Sequence, residues 1–179
     1  MTGSTWPSAP RRVVVTGMGM LTALGNDVAS TWEGMVAGRS GIRTIESFDP
    51  SRLQSRIAGA VHDFDASHIL DRKEIRRTDR YIQFGLVASR EAMDQAGLPA
   101  RLEGDEAERT GVILGTGLGG VGTLVEGISN NATRGPDRIS PFFIPMGIPN
   151  VGAGQVAISF GMTGPNFTTV SACATGGHA

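Results

Sequence analysis

From Ile139 to Ala179 the chain carries no Asp, Glu, Lys or Arg, a stretch of 41 residues. A segment of that length with no charge has little to turn toward water, so most of it needs cover from other protein surface. Gly, Pro, Ser, Asn and Thr interrupt it every few positions, and no run of 18 apolar residues exists. That excludes a membrane-spanning helix. A chain of 179 residues that closes inside its least charged region reads as part of a larger fold.

The rest of the composition removes other classes. The net charge is −1 and there is no long basic or acidic tail, which leaves no electrostatic case for nucleic-acid binding. One cysteine, Cys173, permits neither an internal disulfide nor a cysteine-built zinc site. The chain is therefore compatible with a reducing cytoplasm. Met1 to Pro10 lacks an apolar stretch behind a basic start, so it reads as a flexible leader and not a signal peptide.

Strand-like and helix-like segments alternate, which indicates an α/β layered structure. Val13-Val14-Val15, closed by Gly17, reads as a buried strand. Asn26 and Asp27 are N-cap candidates for a helix in which Val28, Trp32, Met35 and Val36 recur at helical spacing and Gly38 is the stop. Arg56 to Val61 suits a short or edge strand. Ile75, Ile82, Leu86, Met93 and Ala96 form one apolar stripe, predicting a helix over 73–96. Gly111 to Gly115 reads as a second buried strand, followed by a helix over 124–130. Another helix, with Pro149 at its start, runs to about Phe160. Phe167 to Ser171 suits a last strand, and Cys173 follows at once.

Two features carry possible chemistry. Gly115-Thr116-Gly117-Leu118-Gly119-Gly120 matches the dinucleotide fingerprint literally. Its required acidic partner about 20 residues on is missing, because Glu126 falls in the helix and Asp137 in a proline loop. The alternative is a backbone that turns tightly or passes close to another segment. The second feature is Val170-Ser171-Ala172-Cys173-Ala174-Thr175-Gly176-Gly177. A strand running into a lone Cys among small residues that open a helix suits a nucleophile elbow. A helix start at the sulfur favours the thiolate, the reactive form. The plainer reading of a lone Cys is an inert buried thiol.

Four separated motifs occur in order: Arg12-Val13-Val14-Val15-Thr16-Gly17-Met18-Gly19, Asp71-Arg72-Lys73-Glu74, Ser140-Pro141-Phe142-Phe143-Ile144-Pro145, and Ser171-Ala172-Cys173-Ala174-Thr175-Gly176. With them the chain, from residue 11 to 179, resembles the N-terminal portion of the elongating β-ketoacyl-[acyl-carrier-protein] synthases. The resemblance implies a thiolase-like α/β fold, of which this is the N-terminal half, an incomplete layered α/β/α unit, with a homodimer in the full-length family. It implies an acyltransferase of fatty acid synthesis, a 3-oxoacyl-[acyl-carrier-protein] synthase, that makes an acyl thioester on Cys173 and condenses it with malonyl carrier protein by decarboxylative Claisen chemistry. No metal and no resident cofactor are implied, since substrates arrive on the phosphopantetheine of acyl carrier protein.

By the same resemblance, Leu118 gates the acyl pocket and Phe143 closes it. Lys73, Arg76 and Arg77 dock the acidic carrier protein, and Arg138 is a further carrier contact. Asp137-Arg138 stands where the family often has two basic residues. The family's two catalytic histidines lie in its C-terminal half. His62, His68 and His178, the three histidines here, lack their sequence context. His178, five residues beyond the cysteine, is expected to turn away from the sulfur. The alternatives are a catalytically incompetent fragment and a polyketide-type ketosynthase.

Overall fold

A computed structural model describes residues 12–179, so the leader expected over 1–10 lies outside the described residues. The core is built on two helices. Asp27 opens α1 (Val28–Val36) by accepting from the Ser30 amide at 2.6 Å, and Gly38 follows its end with φ +64°. The next segments pair as a small antiparallel hairpin, β1 (Arg43–Thr44) with β2 (Ile57–Ala58).

The helix expected over 73–96 is two helices, α2 (Arg72–Ile75) and α3 (Arg80–Gln95). The break has a local cause. Asp71 and Glu74 close a capping box around α2, and Asp79 restarts the helix by accepting from the Tyr81 amide at 3.2 Å. Between them the Thr78 hydroxyl donates back to the Glu74 carbonyl at 2.8 Å. Chain order continues with α4 (Gly104–Arg109), β3 (Val112–Gly115), α5 (Val121–Arg134), α6 (Phe143–Gly147), α7 (Val151–Phe160), β4 (Asn166–Thr169) and α8 (Thr175–His178).

Strands β3 and β4 are parallel, in the register Ile113 opposite Phe167. Helix α7 contacts α3 on one side and both strands on the other. Ile82, Leu86, Val87 and Met93 of α3, Ala153, Val156 and Phe160 of α7, and Val112 of β3 form the buried core, with Leu114 packed against it. Strand alternation turns Ile113 and Phe167 to the opposite face, where each is 51% exposed. One face of the sheet is thus covered by helices, and the other is open among the described residues.

Two expectations of burial fail. Val13, Val14 and Val15 form no strand and are exposed, Val13 at 93%. Their segment finds no strand partner among the described residues and instead runs onto α3. There the Met18 amide donates to Gln95 Oε1 at 2.6 Å and the Met20 amide to Glu91 Oε2 at 2.8 Å. Gly17 and Gly19 lie so close to the α3 backbone that a Cβ at either would overlap a carbonyl, of Ala92 or Ala88. The stripe on α1 also faces outward: Trp32, Met35 and Val36 are exposed, whereas Thr31 and Gly34 are its buried residues. Helical periodicity located both faces; which one is covered depends on what packs there.

Candidate active site

Cys173 sits where the two parallel strands end. The Thr116 amide donates to the Thr169 carbonyl at 3.2 Å, which carries the pairing one residue past β3 and brings its outgoing loop beside the end of β4. Three residues after β4 the chain reverses. Ala172 takes φ +50°, a left-handed conformation that costs a residue with a Cβ about 1 kcal/mol or more. A single 3-10 turn, Ala172–Ala174, then leads directly into α8. Cys173 is thereby presented at the carboxyl end of the strands with an exposed side chain. The buried reading of this thiol does not hold among the described residues, where Cys173 is exposed. Open parallel sheets place their ligands at this edge.

Ser171 organises the bend. Its amide donates to Thr175 Oγ1 at 2.9 Å, its carbonyl accepts from the Ala174 amide at 3.2 Å, and its hydroxyl lies 2.7 Å from His178 Nδ1. His178 is thus engaged with Ser171 rather than standing free.

The glycine loop does not cradle a phosphate. The amide of Gly120 donates to the Gly147 carbonyl at 3.1 Å, and a Cβ at Gly120 would overlap the Met146 carbonyl. At the start of α5, where an anion would sit, a carboxylate of the chain itself is already present. Asp79 Oδ2 accepts from the Thr123 amide at 3.2 Å and from the Thr123 hydroxyl at 2.6 Å. Since Asp79 Oδ1 caps α3, one side chain serves two helix starts. Sequence reasoning missed Asp79, although Thr78-Asp79 inside a helical pattern was a legible cap signal.

The other expected site residues fall in two groups. Leu118 projects from the glycine loop and is 70% exposed. Phe143 starts α6, with its ring against Gly127 of α5. The loop bearing Leu118 and the helix bearing Phe143 touch through the Gly120 to Gly147 hydrogen bond. Arg76, Arg138 and Phe143 line a common hollow of about 220 Å³ with Glu126 and Asn130. Arg77 lies over the Phe142 ring, 4.6 Å from its centroid. Lys73 is exposed on α2, whose capping box holds its backbone. The structure therefore gathers Arg76, Arg77, Arg138 and Phe143 on one surface, and neither Cys173 nor Leu118 lines that hollow. A larger hollow of about 760 Å³, between the β1–β2 hairpin and α3, contains none of the expected residues.

Comparison with known proteins settles what this arrangement belongs to. The model of the β-ketoacyl synthase N-terminal domain matches residues 10–179. The chain belongs to the β-ketoacyl synthase family. It is 44% identical over 168 residues to the 3-oxoacyl-[acyl-carrier-protein] synthase 2 of Vibrio harveyi, and 42% identical over 168 residues to that of Coxiella burnetii. Each alignment covers 94% of this chain and 40% of the relative, so the chain spans about two fifths of these relatives' length. Among solved structures, the ishigamide ketosynthase/chain length factor superposes with a TM-score of 0.80 at 28% identity, over 90% of this chain and 40% of the other. A β-ketoacyl synthase from Burkholderia phymatum superposes at 0.73 and 26% identity, over 95% and 42%. The mixed α/β architecture is that of the N-terminal half of a ketosynthase. Among the described residues, no helix of this synthase domain is long and apolar enough to cross a membrane.

Proposed function

We propose that this domain supplies the nucleophile of a 3-oxoacyl-[acyl-carrier-protein] synthase of fatty acid synthesis, with Cys173 as the residue that takes the acyl group. The observation that carries the reading is the exposed Cys173 on a strained turn at the strand ends. Its thiolate attacks the carbonyl carbon of an acyl thioester; the new C–S bond forms on Sγ, and the carrier's phosphopantetheine thiol leaves with a proton. The backbone N–H of Cys173 lies beside the developing oxyanion and donates to it. In the complete synthase, malonyl carrier protein then loses CO2, and its carbanion attacks the Cys173 thioester to release 3-oxoacyl carrier protein.

Arg76, Arg77 and Arg138, with Lys73 nearby, form the basic surface for the acidic carrier protein. Phosphopantetheine is the carried substrate arm and not a resident cofactor. Leu118 and Phe143 line the acyl path, and a second copy of the synthase completes it as a homodimer. The relatives at 42–44% identity, both 3-oxoacyl-[acyl-carrier-protein] synthases 2 by name, support this reading over the polyketide alternative, which rests on the shared cysteine motif.

The test uses acyl carrier protein bearing a radiolabelled acyl group. Label is expected on Cys173 and absent from Cys173→Ala; persistence of label in that variant overturns the assignment. With malonyl carrier protein added, these 179 residues on their own are expected to give no 3-oxoacyl product, because His62, His68 and His178 lack the sequence context of the family's two catalytic histidines. Formation of that product refutes the second statement.

A further inference from the structure

We infer that Ser171 and His178 are positioning residues that close a clamp around the Cys173 turn. This rests on the reading of Cys173 as the acylated nucleophile. The turn from Ala172 to Ala174 has only one 3-10 turn of its own between β4, which ends at Thr169, and α8, which begins at Thr175. It contains Ala172 in the left-handed region, a conformation that relaxes unless its surroundings hold it. Beyond the Ala174 amide on the Ser171 carbonyl, what holds it are side-chain bonds across the turn. The Ser171 amide reaches Thr175 Oγ1 at 2.9 Å, from a threonine that is itself buried, and the Ser171 hydroxyl reaches His178 Nδ1 at 2.7 Å. Ser171 lies two residues before Cys173, and Thr175 and His178 lie two and five residues after it. The chain is thus pinned on both sides of the sulfur, from strand end to helix, with only the turn left between.

Acyl transfer needs the sulfur in one place relative to the thioester carbonyl, whereas alkylation by a small freely diffusing reagent needs only access. Loss of the clamp therefore lowers the first reaction and spares the second. Either tautomer of His178 satisfies the bond, as donor to or acceptor from the hydroxyl, so the clamp needs no particular imidazole charge.

The experiment compares the whole chain with Ser171→Ala, His178→Ala and the conservative Ser171→Thr, which keeps the hydroxyl. Two quantities are read: amide hydrogen exchange at residues 172–175 against the amides of α7, and the rate of Cys173 acylation against iodoacetamide alkylation. In Ser171→Ala and His178→Ala, exchange over 172–175 rises by roughly three- to tenfold, the range set by one hydrogen bond, while α7 stays unchanged. Acylation falls by a similar factor and alkylation changes less than about twofold. Ser171→Thr restores both. Unchanged exchange in Ser171→Ala, identical behaviour of the Ala and Thr variants, or an equal rise across α7 in both alanine variants overturns the clamp. If the unaltered chain takes no acyl group at all, the reading of Cys173 as nucleophile fails instead, and the exchange measurements still decide the clamp.

Discussion

Replacement of Asp79 tests how the glycine loop is held to the rest of the domain. In Asp79→Ala the α3 start loses the cap on the Tyr81 amide, worth about 1 kcal/mol. The α5 start loses the bonds from the Thr123 amide and hydroxyl, and hydrogen bonds to a charged group contribute about 1.5–3 kcal/mol. The two ends are separated by 44 residues in sequence, so the same carboxylate also ties α3 to the loop that carries Leu118. Together the loss is about 3 kcal/mol. Asp79→Asn keeps an oxygen for Tyr81 and turns its amide toward the Thr123 hydroxyl, leaving the Thr123 N–H without an acceptor; about half the loss is expected.

Pulse proteolysis across a urea series at submicromolar concentration reads the fraction folded. With an m-value of about 2 kcal/mol/M, the midpoint moves down by about 1.5 M for Ala and less for Asn. A shift below about 0.3 M for Asp79→Ala, or one for Asn as large as for Ala, refutes the two-helix role.

Three further outcomes follow from the same structure. Leu86 is fully buried at the α3–α7 contact, so Leu86→Ala is expected to cost about 3 kcal/mol by the same urea assay, while Trp32→Ala on the exposed face of α1 costs well under 1 kcal/mol. Acid is expected to loosen the aspartate-capped turns. The Ser30 hydroxyl, and then the Ser30 amide, hold the Asp27 carboxyl below its ordinary 3.8, and the Glu74 amide does most to lower that of Asp71. A depressed carboxylate adds stability that is present above 3.8 and lost as pH falls through its lower folded value, so far-UV helicity should hold down to about pH 4 and fall below it. Constant helicity to pH 2 contradicts that. Finally, Val13, Ile113, Ile144 and Phe167 are among many exposed apolar side chains, so gel filtration at micromolar concentration should show self-association, and a compact monomer would refute this.

Local rules made several elements legible. Asp27 and Gly38 bracket α1 because capping is decided within one turn, and Gly161, left-handed at φ +73°, stops α7 where the pattern stopped it. The small residues around Cys173 announced a sharp turn, and the turn is there. Reading along the chain failed in two ways, once where local caps interrupt a periodic stripe and once where no partner strand packs. The periodicity of 73–96 runs through a break made by side chains at Asp71, Glu74, Thr78 and Asp79. Val13 to Val15 have strand composition but no strand neighbour among the described residues.

The uncharged stretch from Ile139 onward shows the same division. Its composition alone determined that it needs cover and does not span a membrane, because charge and apolar run length are properties of the chain. Only the tertiary structure decided how much cover it receives: Val156 and Phe160 are buried against α3, whereas Ile144, Ile158 and Phe167 are exposed. Likewise the sequence singled out Cys173, but its exposure and the pairing of Ser171 with His178 arise only when strand end, turn and helix meet. Burial and hydrogen-bond partnership depend on which segments fold together, and residue spacing does not contain that information.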